Sequence, residues 1–138
     1  MASVVAIGLI ASACSSGSHG PCTAIGADDG VEVGFDDVGM PASGELSITA
    51  CVEGRCGTQA YHATRLIRVA EHGLFVAVPN VPVDSDVTIA VRIAANSRKV
   101  FAGSTVAHTR KFQPNGPDCE PTVWHARVVA HGTAQLAA

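Results

Sequence analysis

Apolar and polar residues alternate along much of the chain, with the period of two that is typical of β-strands. The clearest run covers residues 87–93, where Val87, Ile89, Val91 and Ile93 share one face. No stretch offers a long amphipathic helical stripe. We predict further strands in the other alternating or apolar runs, at residues 31–35, 46–50, 55–62, 64–70, 73–78, 99–109 and 122–130.

Turn-forming residues separate these runs, as at Pro79-Asn80 and over residues 94–97. Residues 73–106 resemble the closing strands of immunoglobulin-like, fibronectin-like or prealbumin-like sandwiches. We therefore predict a single all-β domain over residues 23–133, an immunoglobulin-like or prealbumin-like sandwich of about seven or eight antiparallel strands. Residues 134–138 tolerate a helix but are few, so we expect this tail to fray.

A short apolar run occupies residues 4–13. It is too short for a transmembrane helix, which needs about twenty residues, but it has the length of the apolar region of a secretory signal. The run ends in Ala11-Ser12-Ala13-Cys14, which resembles the lipobox of bacterial lipoproteins. The resemblance implies that residues 1–13 are removed and that the thiol of Cys14 carries a diacylglyceryl group. The protein would then be held at the outer face of the cell membrane.

Residues 14–22 are mostly small and polar, as in a flexible tether. Met1-Ala2-Ser3 departs from the usual signal, because no Lys or Arg precedes the apolar run. Either the true start lies upstream or the free α-amino group supplies the positive charge. Two alternatives to lipidation stay open: a plain signal peptide in which Cys14 is an ordinary cysteine, or a buried N-terminal strand.

The cysteines support export to an oxidising compartment. If Cys14 carries lipid, four cysteines remain, which is enough for two disulfides. A two-residue turn at Glu53-Gly54 would place Cys51 opposite Cys56, with Cα atoms about 4.5 to 5.5 Å apart, which suits a disulfide. The remaining pair is then Cys22 with Cys119, which would tie the start of the domain to its last strand.

A zinc site is the competing interpretation of these cysteines. Cys51 and Cys56, together with His62 or His72, have the right ligand chemistry. Their spacing is loose, and no second cysteine pair follows at zinc-finger spacing, so the disulfides are favoured.

Two further groups have metal-binding chemistry. His125 and His131 lie six residues apart, on one face of an unbroken strand, and His108 would approach them if the last two long strands pair. Three imidazoles bind copper or zinc well, and carboxylates bind calcium. We expect surface or turn roles for both groups, and we keep an envelope metal-binding protein as the alternative function. The carboxylates belong to an acidic N-terminal loop: Asp28, Asp29, Glu32, Asp36 and Asp37.

Composition excludes several function classes. The 9 Lys and Arg are scattered and the net charge is -3, so nucleic-acid binding has no electrostatic footprint. Aromatic residues make up only 4% of the chain, fewer than a carbohydrate platform usually shows. The nucleophile elbow, the zinc-protease helix motif and the phosphate-binding loop are all absent from the sequence. We therefore expect neither an enzyme nor a cofactor.

Three features together are similar to small uncharacterised lipoproteins of high-GC Gram-positive bacteria. They are the lipobox, the cysteine hairpin ACVEGRC at residues 50–56 and the loop QPNGPDCEPT at residues 113–122. The resemblance implies localisation and fold, and it brings no reaction with it. We expect a non-enzymatic, membrane-anchored extracytoplasmic module that presents its loops to a protein or ligand partner.

Overall fold

The computed structural model describes Cys22, residues 25–62 and residues 73–138, and within these ranges the chain is all-β. Cys14, the predicted signal peptide, most of the predicted tether and the predicted strand at 64–70 lie outside the described residues. Nowhere in the described ranges does the chain form an apolar helix of membrane-spanning length. The strands are β1 Gly30–Asp36, β2 Glu45–Val52, β3 Arg55–His62, β4 Leu74–Ala77, β5 Asp86–Ala95, β6 Arg98–His108, β7 Arg110–Phe112, β8 Val123–His131 and β9 Gln135–Ala137.

The strands form two sheets that enclose one core, which confirms the predicted all-β sandwich. One sheet has the order β4-β1-β8-β7, with β9 also paired to β8, and the other has the order β3-β2-β5-β6. The predicted antiparallel pairing holds for every pair except one. Strand β1 runs parallel to β8, from Gly30 opposite His125 to Asp36 opposite His131.

The core contains the apolar face that the alternation predicts. Val87, Ile89, Val91 and Ile93 of β5 are each at most 2% exposed and pack in one cluster with residues of both sheets. Fully burying a valine or isoleucine side chain stabilises a fold by about 1.5 to 3 kcal/mol. Because β5 also pairs with β2 on one side and β6 on the other, it is one of the two inner strands of its sheet.

The β2–β3 hairpin has the register that the sequence predicts. Glu53 and Gly54 form its turn, with φ angles of 48° and 80°. A type I′ turn needs positive φ at both positions, and glycine adopts it without strain. The turn places Cys51 opposite Cys56, and these two residues form a disulfide with Cα atoms 4.0 Å apart.

A second disulfide joins Cys22 to Cys119, with Cα atoms 5.7 Å apart, which is the other predicted pair. Cys119 is buried in the loop between β7 and β8. Asn115 of the same loop accepts a hydrogen bond from the Ile25 amide at 2.8 Å and donates one to the Ile25 carbonyl at 3.0 Å. The segment that leads into β1 is thus fixed to this loop by one covalent bond and two hydrogen bonds.

Thr109 carries the chain from β6 in one sheet to β7 in the other, and it is fully buried. Its amide donates to the Ser85 carbonyl at 2.9 Å, and its hydroxyl accepts from the Ser85 amide at 2.9 Å. The same hydroxyl donates to the Pro82 carbonyl at 2.8 Å. Three hydrogen bonds therefore hold the point at which the chain changes sheet.

Two predictions about chain ends and turns need correction. The tail at 134–138 does not fray, because Leu136 packs into the core and pairs with Ala130 as part of β9. The turn expected over 94–97 is confined to its last two residues. Ala95 is buried and continues β5 opposite Arg98 of β6.

We expect the two disulfides to stabilise the domain unequally, because they close loops of different length. Their sequence separations are 97 and 5, for which loop entropy gives about 4 to 5 kcal/mol and about 2 kcal/mol. Cys22→Ala/Cys119→Ala should therefore lose about twice as much unfolding free energy in urea as Cys51→Ala/Cys56→Ala. Equal losses, or a Cys22–Cys51 peptide as the main crosslink in non-reduced digests, would contradict this pairing.

Candidate functional site

The side chains that alternate with the core residues of β1 and β8 form the outer face of the five-stranded sheet. The parallel register sets Glu32 beside Arg127, whose Nε lies 3.7 Å from the carboxylate. It also sets Asp36 beside His131, whose Nδ1 lies 2.9 Å from Asp36 Oδ2. This face is therefore polar along the middle two strands.

Three rings cross one end of this outer face, and we call them the aromatic row: Phe75, His125 and Phe112. The centroid of the Phe75 ring lies 4.9 Å from that of His125, at an interplanar angle of 49°. Phe112 stacks on His125 with centroids 4.8 Å apart and an angle of 25°. Because β4 and β7 lie on opposite sides of β8, the two phenyl rings approach the imidazole from opposite sides. Phe112 is 45% exposed, so the row faces solvent.

Gly30 makes room for the aromatic row. It lies on β1 between Phe75 and His125, where a Cβ atom would stand 2.5 Å from Phe75 Cζ and would also clash with the Val76 carbonyl oxygen. Any other residue here would push the Phe75 ring away. The strand that carries Phe75 is held by Tyr61, whose hydroxyl donates to the Phe75 carbonyl at 2.6 Å. Burial raises the pKa of the Tyr61 hydroxyl, which keeps it protonated and able to donate.

The segment before β1 fixes the His125 imidazole. His125 Nε2 lies 2.9 Å from the Asp28 carbonyl oxygen, to which it donates. The neighbouring Asp29 carboxylate accepts a hydrogen bond from the Trp124 amide at 2.8 Å. These two contacts hold the ring at the centre of the row and assign its Nε2 as the protonated nitrogen.

An open groove of about 630 Å³ lies beside the row, between the end of β6, β7 and β8. Its position follows from the way β7 and β9 share one edge of β8. β7 pairs only with Val123–His125 and β9 only with Val129–His131. The larger side chains that line the groove are Glu32, His108, Arg110, Lys111, Phe112, His125, Arg127 and Val129.

The three histidines proposed as metal ligands are held by different partners. His125 and His131 share the outer face of β8, as their spacing predicts. The two long strands that would bring His108 to them do not pair, because β6 pairs with β5 in the other sheet. His108 reaches the rim of the groove, while His131 bonds to Asp36.

His108 bridges two carboxylates next to its own strand. Its Nδ1 lies 2.8 Å from Asp86 Oδ1, and its Nε2 lies 3.0 Å from Asp84 Oδ1. Donation to the Asp86 carboxylate, and next to that of Asp84, favours the charged imidazole and raises the pKa of His108. Both acids of the turn that leads into β5 thus bond this imidazole.

The acidic N-terminal loop does not form a common site either. Its carboxylates point to separate partners: Asp29 to the Trp124 amide, Glu32 to Arg127 and Asp36 to His131. Across the described ranges, no group of three or more His, Cys, Asp or Glu side chains could hold a metal ion. The zinc alternative fails because its two cysteines are bonded to each other, and His72 lies outside the described residues.

The aromatic row was missed at the level of sequence. The low aromatic content argued against a stacking platform, yet three rings from distant strands are sufficient to form one. Phe75 lies in an apolar run that predicts burial. The one usable signal was Gly30 directly before an alternating strand, since a glycine there indicates a close approach by another group.

The His108 bridge should make stability depend on pH. Its folded pKa is raised above the ordinary value of 6.5, so its stabilisation is present below that value and is lost as pH rises through the folded pKa. We therefore expect His108→Gln to lower the unfolding free energy at pH 5.5 and to have a smaller effect at pH 9.

The matched control is the same substitution in an Asp84→Asn/Asp86→Asn background. Without the two carboxylates, His108→Gln should give the same change in unfolding free energy at both pH values. An effect of His108→Gln that is larger at pH 9 would show that the bridge does not stabilise the fold.

The chain was compared with known proteins at three levels. Neither family models, nor curated proteins, nor solved structures contain a match to the chain. The function is therefore inferred from the outer face and its groove.

Proposed function

We propose that the protein is a lipid-anchored, extracytoplasmic binding module that recognises its ligand through the aromatic row and the adjoining groove. The observation that supports this most directly is the row itself. Three rings from three strands contact one another on a solvent-facing surface. A side chain larger than that of Gly30 would clash with the Phe75 ring.

Exposed aromatic rings are useful mainly for binding. A ring such as Phe112 contributes little to the core when it faces water, whereas it offers a large, rigid contact area to a partner. The hydrogen bond from His125 to Asp28 fixes the central ring before any ligand arrives, which reduces the entropy lost on binding.

The contacts of the histidines favour binding over catalysis. General-base catalysis needs an imidazole nitrogen within hydrogen-bond reach of a nucleophile. In the described part of the chain, His108, His125 and His131 are bonded to carboxylates or to a backbone carbonyl, and to no hydroxyl or thiol. This supports a non-enzymatic module.

The proposed anchor would place one end of the sandwich near the membrane. Cys14 and Cys22 are eight residues apart, so a fully extended chain between them spans at most about 28 Å. Cys22 is bonded to the β7–β8 loop, close in sequence to both Phe112 and His125. A lipid on Cys14 would therefore keep the aromatic row within reach of the membrane surface.

Substitution of the lipidation residue tests the anchor. We expect the parent protein in the membrane fraction with a diacylated Cys14 at its mature N-terminus, since stable attachment needs two acyl chains. Cys14→Ala should accumulate unprocessed or be released, while Ser15→Ala, one residue further on, should behave like the parent. A mature N-terminus other than a modified Cys14, read by mass spectrometry, would refute the anchor.

A neutral aromatic dye tests the binding face. N-phenyl-1-naphthylamine should bind the full chain in a Cys14→Ala background, which removes lipid from the measurement. Phe112→Ala should weaken binding by about tenfold, since it removes one stacking wall. Val106→Ala, which also removes an exposed apolar side chain but lies on β6, should leave the dye affinity unchanged. Equal affinities for the two variants would contradict a binding role for the row.

A further inference from the structure

The groove beside the aromatic row has two chemically different parts. Its floor contains Ala107 and Ala126, which are 3% and 2% exposed. Val129 and the ring of Phe112 extend this apolar surface toward solvent. The volume of about 630 Å³ lies inside the range typical of small-molecule sites. The floor is thus suited to the apolar body of a small ligand.

The rim of the groove is cationic. Arg110, Lys111 and Arg127 line it, and Glu32 supplies the one side-chain carboxylate among its lining residues, which also include Ala138. Glu32 is 3.7 Å from Arg127 and offsets only that charge. Within the described residues, neither Arg110 nor Lys111 has a carboxylate at ion-pair distance. In the part of the chain that the structure describes, these two cations therefore lie beside an apolar floor without a carboxylate partner.

This local excess of positive charge contrasts with the rest of the molecule. The chain as a whole has a net charge of -3. Asp84 and Asp86 are both bonded to His108, which also lines the groove. Among the described residues, an anion that enters the groove therefore meets two cations that have no carboxylate partner.

From this complementarity we propose that the groove binds an amphiphilic anion: a small molecule with an apolar or aromatic body and one carboxylate, phosphate or sulfonate group. The body lies on the floor against Phe112, and the anionic group contacts Arg110 and Lys111. Since the ligand stacks on the row, this assignment rests on the binding role proposed above, and it adds the class of ligand.

A pair of dyes that differ in one charged group tests the ligand class. The probe is 8-anilino-1-naphthalenesulfonate, and N-phenyl-1-naphthylamine has the same aromatic body without the sulfonate. Fluorescence titrations use the full chain in the Cys14→Ala background, where any binding to residues 4–13 is a background common to all variants. Unchanged urea midpoints check that each variant is folded.

The chain contains a matched control, because a second Arg-Lys dipeptide, Arg98-Lys99, lies at the start of β6. Arg110→Gln/Lys111→Gln should weaken binding of the anionic dye by about tenfold, as expected for the loss of two partly solvated charge contacts. The same double substitution should change the affinity for the neutral dye by less than about twofold. Arg98→Gln/Lys99→Gln, at the far end of β6, should change neither. Added salt should weaken only the anionic dye.

The outcomes separate the ligand class from the binding role. If Phe112→Ala weakens the binding of both dyes but Arg110→Gln/Lys111→Gln weakens the binding of neither, the row binds ligands and the preference for an anion is overturned. If Phe112→Ala changes neither dye, the binding role itself fails. The proposal of an anionic ligand is also overturned if Arg110→Gln/Lys111→Gln lowers the affinity for both dyes equally. It is overturned as well if the Arg98→Gln/Lys99→Gln control lowers the affinity for the anionic dye by the same amount.

Discussion

The parallel pairing of β1 with β8 is the contact on which the outer face depends. It joins segments far apart in sequence, from Gly30 beside His125 to Asp36 beside His131. The buried side chains of β1, Val31 and Val33, select this register, because a shift by one residue would turn them to solvent. Such a shift would also separate the rings of the row, so core packing and surface chemistry are set by one alignment.

Local patterns were enough to predict most strands, the hairpin turn and the Cys51–Cys56 disulfide, and the Cys22–Cys119 pair followed by elimination once Cys14 was set aside. An alternating strand or a two-residue turn depends on a few neighbouring residues, and the pair Cys51–Cys56 follows from the turn alone. The aromatic row and the His108 bridge depend on which distant strands lie side by side. Phe75 and Phe112 show no sign of that in their own segments. The strand β9 was missed because one buried residue, Leu136, is too weak a pattern to indicate pairing.

The histidines of this domain connect segments rather than form one cluster. His131 joins β8 to Asp36 at the end of β1, and His108 joins the end of β6 to the start of β5. His125 joins β8 to the segment before β1 and also supplies the central ring of the row. Of these three histidines, His125 is the one held by a backbone carbonyl. This leaves both faces of its ring for contact with the two phenyl groups.

The buried crossing at Thr109 bears on how the domain opens. Its hydroxyl and amide bind the loop that leads from β4 to β5, and Thr109 itself lies in the connection from β6 to β7. Two connections between the sheets therefore meet at this residue. Separating the sheets would break these bonds inside an apolar core, where no water replaces them. We therefore expect the two sheets to unfold as a single cooperative unit, with the amide protons of Ser85 and Thr109 among the slowest to exchange with solvent.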